Sequence, residues 1–380
     1  MLVEDFSQLI NKLETLSEAK DVGRELPHFE DHLINGTDDA INALNELKSK
    51  ITQGSIKWDG QSAIYFGHDK QGNFYLVPKA QWLRGQLLDK EGLTQDILNT
   101  GKKGKDKTDA EFLQSRKNLA NIYMTLWDSF ENASKNTKGF FKGDLMFDQR
   151  QTQDKDGKYR FTPSKVTYTV EPRGLYGKMP TANAFVTIHG KAKKLGSEDQ
   201  APLNPKEIES LNSTPYVIAL GPQLATDAKI DTRQIDSLIK YLQTNKNTLD
   251  RTINYVAPKF STIKNVLYDY GIKSRKSGGT LSFNDYLSNS KVSANQQLII
   301  KQLANSKEFK AFMDTYNALR NVNNNTHAQL TKQHGAPISQ QLGISASVGN
   351  APGGEGYVIP GAGKFINPAW SQAAMNPKFT

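Results

Sequence analysis

The chain has 380 residues, no cysteine, and a formal charge of +9 from 48 Lys and Arg against 39 Asp and Glu. Disulfides and thiolate metal sites are therefore excluded, a reducing compartment is permitted, and the length suggests two domains. A mean hydropathy of −0.59 and the lack of a long apolar run argue against a membrane span. Met1-Leu2-Val3-Glu4-Asp5 lacks the basic start of a signal peptide. The basic excess favours an anionic partner such as nucleic acid.

Residues 1–50 read as helices: Phe6, Leu9, Ile10 and Leu13 are helically spaced, as are Ile41, Leu44, Leu47 and Ile51 behind Asp38 and Asp39. His28 and His32 lie four apart beside Glu30 and Asp31, and without a third ligand they read as capping or surface histidines. Residues 51–199 read as a mostly β core. Gln53-Gly54-Ser55 predicts a turn, Ala63 to Gly67 and Asn73 to Val77 predict strands, and Asp69 to Gly72 predicts the hairpin turn between them. Lys57 is thus expected in a short loop at a sheet edge. Helix resumes from Gly92 to Asn99 and from Ala110 to Ser134, where Lys138-Gly139 stops it. Phe140 to Lys191 reads as several strands, with turns at Asp154 to Gly157 and Pro172 to Gly174. Basic runs stand at Lys102 to Lys107 and Lys191 to Lys194, where a solvated loop and an anion-binding patch are both open readings.

Residues 200–340 change character. Helical spacing appears in Ile235, Leu238, Ile239 and Leu242, in Ile263, Val266 and Leu267, and in Leu298, Ile299, Ile300 and Leu303. Asn321 to Thr326 reads as a breaker near the end of this helical lobe. Residues 341–380 return to the core through a glycine-rich loop. There is no internal repeat.

Ile56-Lys57-Trp58-Asp59-Gly60 unites a lysine, a carboxylate and a glycine in one compact unit. A deprotonated lysine attacks phosphorus or carbonyl carbon, a glycine admits a ligand close to the backbone, and Asp59 can take a proton or hold a ribose hydroxyl. A Lys-x-Asp-Gly tetrapeptide alone is common in surface turns. Three segments follow it in order: Lys142-Gly143-Asp144-Leu145-Met146-Phe147, Ala184-Phe185-Val186-Thr187-Ile188-His189-Gly190, and Glu355-Gly356-Tyr357-Val358-Ile359 with Lys364-Phe365-Ile366 behind. The set resembles the ordered motifs of the covalent nucleotidyltransferase superfamily of ATP-dependent DNA and RNA ligases and mRNA capping enzymes. A closer resemblance is to an uncharacterised ligase-like family of tailed bacteriophages, including cyanophages. It extends to His28-Phe29-Glu30-Asp31 and to Phe161 through Tyr168, and it leaves about 200–340 uncovered.

The resemblance implies an α+β fold with an ATP-grasp-like antiparallel core. Helical spacing makes 200–340 a large helical insertion, and the 16 residues after Lys364 are too few for the oligonucleotide-binding barrel that DNA ligases and capping enzymes normally carry there, so none is expected. The resemblance also implies Lys57 as the nucleotidyl-accepting lysine, Asp59 and Lys364 as its catalytic companions, and Lys364 as the phosphate-contacting cation. Trp58, Gly60, Asp144, Phe185 and Glu355 would bind ATP, and Asp144 and Glu355 would hold Mg²⁺ or Mn²⁺. Phe185 is the positional match for the ring that sandwiches adenine, with Phe147, Tyr168 and Trp82 as alternatives. Each residue also has a plain reading: a turn carboxylate for Asp144, a loop carboxylate for Glu355, a core ring for Phe185. The pattern departs from the family in three places. Gln61-Ser62 stands where many ligases carry an arginine, Lys364-Phe365-Ile366 supplies one lysine instead of two, and the Asp144–Glu355 separation is long. The missing barrel makes RNA the expected acceptor in preference to DNA, with other phage proteins as further partners and no membrane. The expected compartment is the cytoplasm of an infected bacterium. The alternative is a catalytically degenerate nucleic-acid-binding or virion protein.

Overall fold

The computed structural model describes residues 27–60, 62–99, 108–148, 150–254, 262–277, 281–289, 304–348 and 351–373. The predicted helical sets at Phe6 to Leu13 and Leu298 to Leu303, the run Lys102 to Lys107, and Gln61 lie outside these residues.

A 3-10 turn at Phe29–Asp31 leads into α1 (His32–Asn35) and α2 (Thr37–Lys50). Strands β1 (Ser55–Lys57), β2 (Ala63–His68) and β3 (Phe74–Pro78) follow, then helices α3 (Lys79–Leu83), α4 (Lys90–Asn99) and α5 (Asp109–Ser134). Thr108 caps α5 through a capping box with Glu111, satisfying two amides that a helix start otherwise leaves open. Next come β4 (Gly139–Phe147), β5 (Tyr159–Phe161), β6 (Thr167–Val170), β7 (Ala184–Ala192), β8 (Gln200–Ala201), α6 (Pro205–Leu211) and β9 (Val217–Leu220). The helical lobe contains α7 (Thr232–Asn254), α8 (Thr262–Lys276), α9 (Phe283–Ser288) and α10 (Lys307–Leu330). A π turn at Thr331–Gly335, α11 (Ala336–Leu342), β10 (Ile344–Val348), β11 (Ala351–Pro352), β12 (Gly356–Ile359), β13 (Gly363–Ile366) and α12 (Pro368–Ala373) complete it.

Among the described residues the architecture is mixed α+β with three sheets. The central sheet runs β3-β2-β4-β7-β8, antiparallel throughout, with β9 added parallel to β7. The second runs β11-β10-β6-β5, and the third is the antiparallel trio β1-β12-β13. One face of the central sheet is apolar: Ile64, Phe66, Phe141, Val186 and Ile188 pack under α4, α5 and α6. Side chains alternate along a strand, so Tyr65, Lys142, Asp144, Thr187 and His189 share the opposite face. A cluster around Trp58, Phe161, Tyr168 and Phe185 closes one end of that second face, and Tyr65 with Trp82 closes the other. Between them the face is polar.

Three expectations change. Residues 200–220 are part of the central sheet, since β8, α6 and β9 all build onto β7, and the helical lobe begins at α7. Asn321 to Thr326 breaks nothing: α10 runs straight through it, with Val322, Asn323 and Thr326 buried and Asn325 Nδ2 donating to Gln234 Oε1 on α7 at 3.3 Å. Packing on α7 and the neighbouring elements overrides the weak helix propensity of asparagine. The lobe is also continuous with the third sheet, because one core joins Phe29 and Leu33 to Tyr316, Leu319, Tyr357 and Phe365. His28 and His32 are neither side-chain caps nor surface residues: His28 makes no side-chain cap and bridges the backbone of Lys364, and His32 is buried with its Nδ1 2.8 Å from Asp39 Oδ2, because the turn they start packs onto β13 and α2.

Candidate active site

Lys57 closes edge strand β1 instead of lying in a loop, and its register partner is Gly356. Ser55 pairs with Val358, which pairs with Lys364 on β13. Residues two apart on a strand share a face, so Lys57 and Lys364 emerge on the same side of this small sheet. On the other side, Tyr357 and Phe365 enter the helical core. Glu355, one residue before β12, is 5% exposed, and its Oε2 accepts a hydrogen bond from Lys57 Nζ in an ion pair. Burial pushes the Glu355 carboxyl above the usual carboxylate range, against the pull of Lys57 and then Lys364, while the charge of Asp59 adds to the rise.

Asp144 comes from β4 of the central sheet and faces this group. Its Oδ2 lies 2.9 Å from His189 Nε2. Burial pushes its proton affinity up, but the His189 hydrogen bond and the charges of His189, Lys57 and Lys142 outweigh that and hold the carboxyl below the usual range. Glu355 thus meets Lys57 directly and feels the charge of Lys364, and Asp144 feels the charge of Lys57.

Asp59 is near but differently engaged. Its Oδ2 accepts the Lys165 amide at 3.1 Å and the Trp370 indole N–H at 3.0 Å, and its own amide donates to the Tyr168 hydroxyl at 2.8 Å. These bonds make it a positioning residue that ties the Lys57 segment to β6 and α12. Trp58 is buried against Tyr168, ring centroids 5.8 Å apart, so it anchors the strand end.

Gly60 packs on Asp144 itself. A Cβ there would fall 2.6 Å from Asp144 Cβ and 3.0 Å from the Leu145 carbonyl oxygen. Gly60→Ala is accordingly expected to cost about 1–3 kcal/mol by overpacking and to move Asp144. A urea melt reads the first effect and a crystal structure of the variant the second, and normal stability with Asp144 unmoved would show that the contact is slack.

Phe185 is a core residue here. It is fully buried among Phe147, Phe161 and Tyr176 at centroid distances of 5.8–5.9 Å, so the expected adenine sandwich finds no open ring face at this position. Phe147, Tyr168 and Trp82 are buried as well, and Trp82 stacks on Tyr65 at 4.4 Å. His189 and Trp370 acquire contacts that sequence reasoning assigned to neither. The one available signal was a histidine ending the apolar run Ala184 to Ile188.

Among the described residues no three His, Asp or Glu side chains gather as a metal-binding group. Asp144 and Glu355 are hard oxygen donors of the kind Mg²⁺ takes, and each is already engaged, Asp144 Oδ2 with His189 and Glu355 Oε2 with Lys57. Among the described residues no helix is long and apolar enough to cross a membrane. No protein-family model, curated protein or solved structure matches this chain.

Proposed function

We propose that the protein is an ATP-dependent, RNA-ligase-like nucleotidyltransferase that carries AMP on Lys57. The convergence of Lys57, Glu355, Lys364 and Asp144, from three remote segments and two sheets, is the observation that supports it. In this reading Lys57 Nζ loses a proton and attacks the α-phosphorus of ATP. A nitrogen–phosphorus bond forms, the α–β phosphoanhydride breaks, and pyrophosphate leaves. Glu355 contacts Nζ directly, and its raised proton affinity suits it to take that proton. Lys364 supplies positive charge where the phosphate oxygens gain negative charge. Asp144, oriented by His189, and Glu355 would hold the divalent ion, whose chemistry when bound is to neutralise phosphate charge. In the second half, a 5′-phosphate oxygen of the acceptor attacks the adenylate and Lys57 leaves. A 3′-hydroxyl then attacks the activated 5′-phosphate and expels AMP. The acceptor proposed is RNA, in the cytoplasm of a phage-infected bacterium.

Incubation with α-labelled ATP and Mg²⁺, read by denaturing gel and intact mass, tests this: a covalent AMP adduct is expected. Nucleic-acid binding without an adduct would favour the degenerate binding or virion protein, a reading that the burial of all four candidate stacking rings supports.

Glu355→Gln separates chemistry from stability. A carboxyl whose folded proton affinity is raised stabilises the fold at acid pH, and that contribution is lost as pH rises through its folded value. Above that window the ionised form is a net burden. Glu355→Gln is therefore expected to melt no lower than wild type at pH 8, while adduct formation falls by about 10²-fold. Normal adduct formation would remove Glu355 from the site.

A further inference from the structure

Beyond Asp144 the polar face of the central sheet continues away from Lys57. Lys142 lies two residues before Asp144 on β4, hence on the same face and within reach of its charge. Its side chain is only 15% exposed, and Nζ lies 6.0 Å from the centroid of the Tyr65 ring. Lys79, at the start of α3, approaches from the far edge of the sheet. Both ammoniums meet one oxygen: Glu198 Oε1 is 3.1 Å from Lys142 Nζ and 2.6 Å from Lys79 Nζ. Glu198 belongs to neither strand of this face. It stands on the connection between β7 and β8, which also carries Lys193 and Lys194.

Two lysines from separate elements, converging on a single oxygen of a loop carboxylate, form an anion cradle whose excess over Glu198 is offset by the nearby charge of Asp144 until Glu198 swings away. A tetrahedral phosphate dianion brings more charge and more acceptor oxygens than the carboxylate does, so it competes for both ammoniums. The geometry points to a second phosphate subsite at Lys79 and Lys142, which the Glu198 carboxylate holds closed and a phosphate opens by displacing it. Resting on the nucleotidyltransferase reading, the phosphate is one other than the transferred α-phosphate. It belongs either to the tail of the nucleotide or to the 5′ end of the acceptor.

The test uses the full chain and inorganic tripolyphosphate, with binding read by titration calorimetry, which needs no turnover. Lys142→Ala and Lys79→Ala are each expected to weaken binding about tenfold. Glu198→Gln is expected to tighten it, because the competing charge is gone. Opposite signs separate an anion subsite from a structural ion pair, whose loss moves all three variants together. Lys142→Arg, which keeps the charge, is expected to bind nearly as wild type and guards against a folding defect in Lys142→Ala. Equal affinity in wild type and both alanine variants, or weakening by Glu198→Gln, would overturn the subsite.

The source of the phosphate is read separately. A raised KM for ATP in adduct formation by Lys142→Ala assigns the nucleotide tail. Slowed discharge of preformed adduct onto a 5′-phosphorylated RNA oligonucleotide, with ATP KM unchanged, assigns the acceptor end. No change in either overturns the assignment to this reaction. If wild type forms no adduct while tripolyphosphate still binds through these lysines, the ligase reading falls and the subsite stands.

Discussion

Lys57→Arg is expected to form no covalent AMP adduct while its unfolding free energy, from urea titration, stays within about 1 kcal/mol of wild type. Arginine keeps the positive charge that Glu355 requires, so the buried carboxylate is not left alone. Arginine cannot be deprotonated in a protein, and so it cannot attack phosphorus. Lys57→Ala removes the nucleophile too, but it strands Glu355 at 5% exposure and is expected to be measurably less stable than Lys57→Arg. The pair of variants thus separates loss of the nucleophile from loss of the ion pair. The readouts are an intact-mass spectrum after incubation with ATP and Mg²⁺, and a urea titration. An AMP adduct on Lys57→Arg, mapped to another lysine, would sink the assignment.

The largest stability effect is expected at Arg275. Its Nη1 donates to Glu30 Oε1 at 2.9 Å and to Asp31 Oδ1 at 3.2 Å, and Tyr316 donates to the same Asp31 oxygen at 2.9 Å. Glu30 is fully buried. Burial pushes its carboxyl up, but Arg275, His28 and Arg320 outweigh this and hold it below the usual range. Asp31 moves the other way, because burial and the neighbouring Glu30 outweigh what Arg275 gives back. Removing one partner of a buried pair leaves uncompensated charge, so Arg275→Met is expected to cost about 3–5 kcal/mol.

The pH dependence follows with a definite sign. In the native protein Glu30 contributes stability above the ordinary glutamate range, and loses it as pH falls through its depressed folded value. Without Arg275, burial dominates and Glu30 binds its proton more tightly folded than unfolded. The variant then loses stability as pH rises. Arg275→Met should therefore be more damaging at pH 8 than at pH 5, by urea titration at both. The triple variant with Glu30→Gln and Asp31→Asn should recover most of the loss. An equal cost at both pH values would show that the guanidinium acts by packing alone.

Local features were legible where local physics decides them. The β2–β3 hairpin follows from Asp69 to Gly72, whose Asp69 carboxylate accepts the amides of Gln71 and Asn73. Helix α5 follows the expected span from Ala110 to Ser134, and the structure adds the Thr108 capping box at its start. Motif order set Lys57 beside Glu355 in one group, and Lys57 Nζ does meet the Glu355 carboxylate. Three things were hidden. The plain reading of Phe185 as a core ring and its functional reading give the same alternating strand, and only the packing of Phe147, Phe161 and Tyr176 separates them. The asparagine run holds helix because of neighbours brought in from distant sequence. Arg275 looked like any surface cation until Glu30 and Asp31, 245 and 244 positions away, were placed against it.

The pairing of β1 with β12 has a bearing on biosynthesis. Lys57 and Glu355 are 298 positions apart, and the strand that orients the lysine gains its partner only when residues 356 to 359 have emerged. Chains grow from the amino end at about 5–20 residues per second, so the lysine waits many seconds on the ribosome without its carboxylate. A pairing of such long range is also among the slower contacts to form. If Lys57 carries AMP as proposed, chains that stop before residue 355 would have the lysine but neither Glu355 nor Lys364 and would be inert toward nucleotide, so that reactivity toward ATP would report that synthesis has run through β12 and β13.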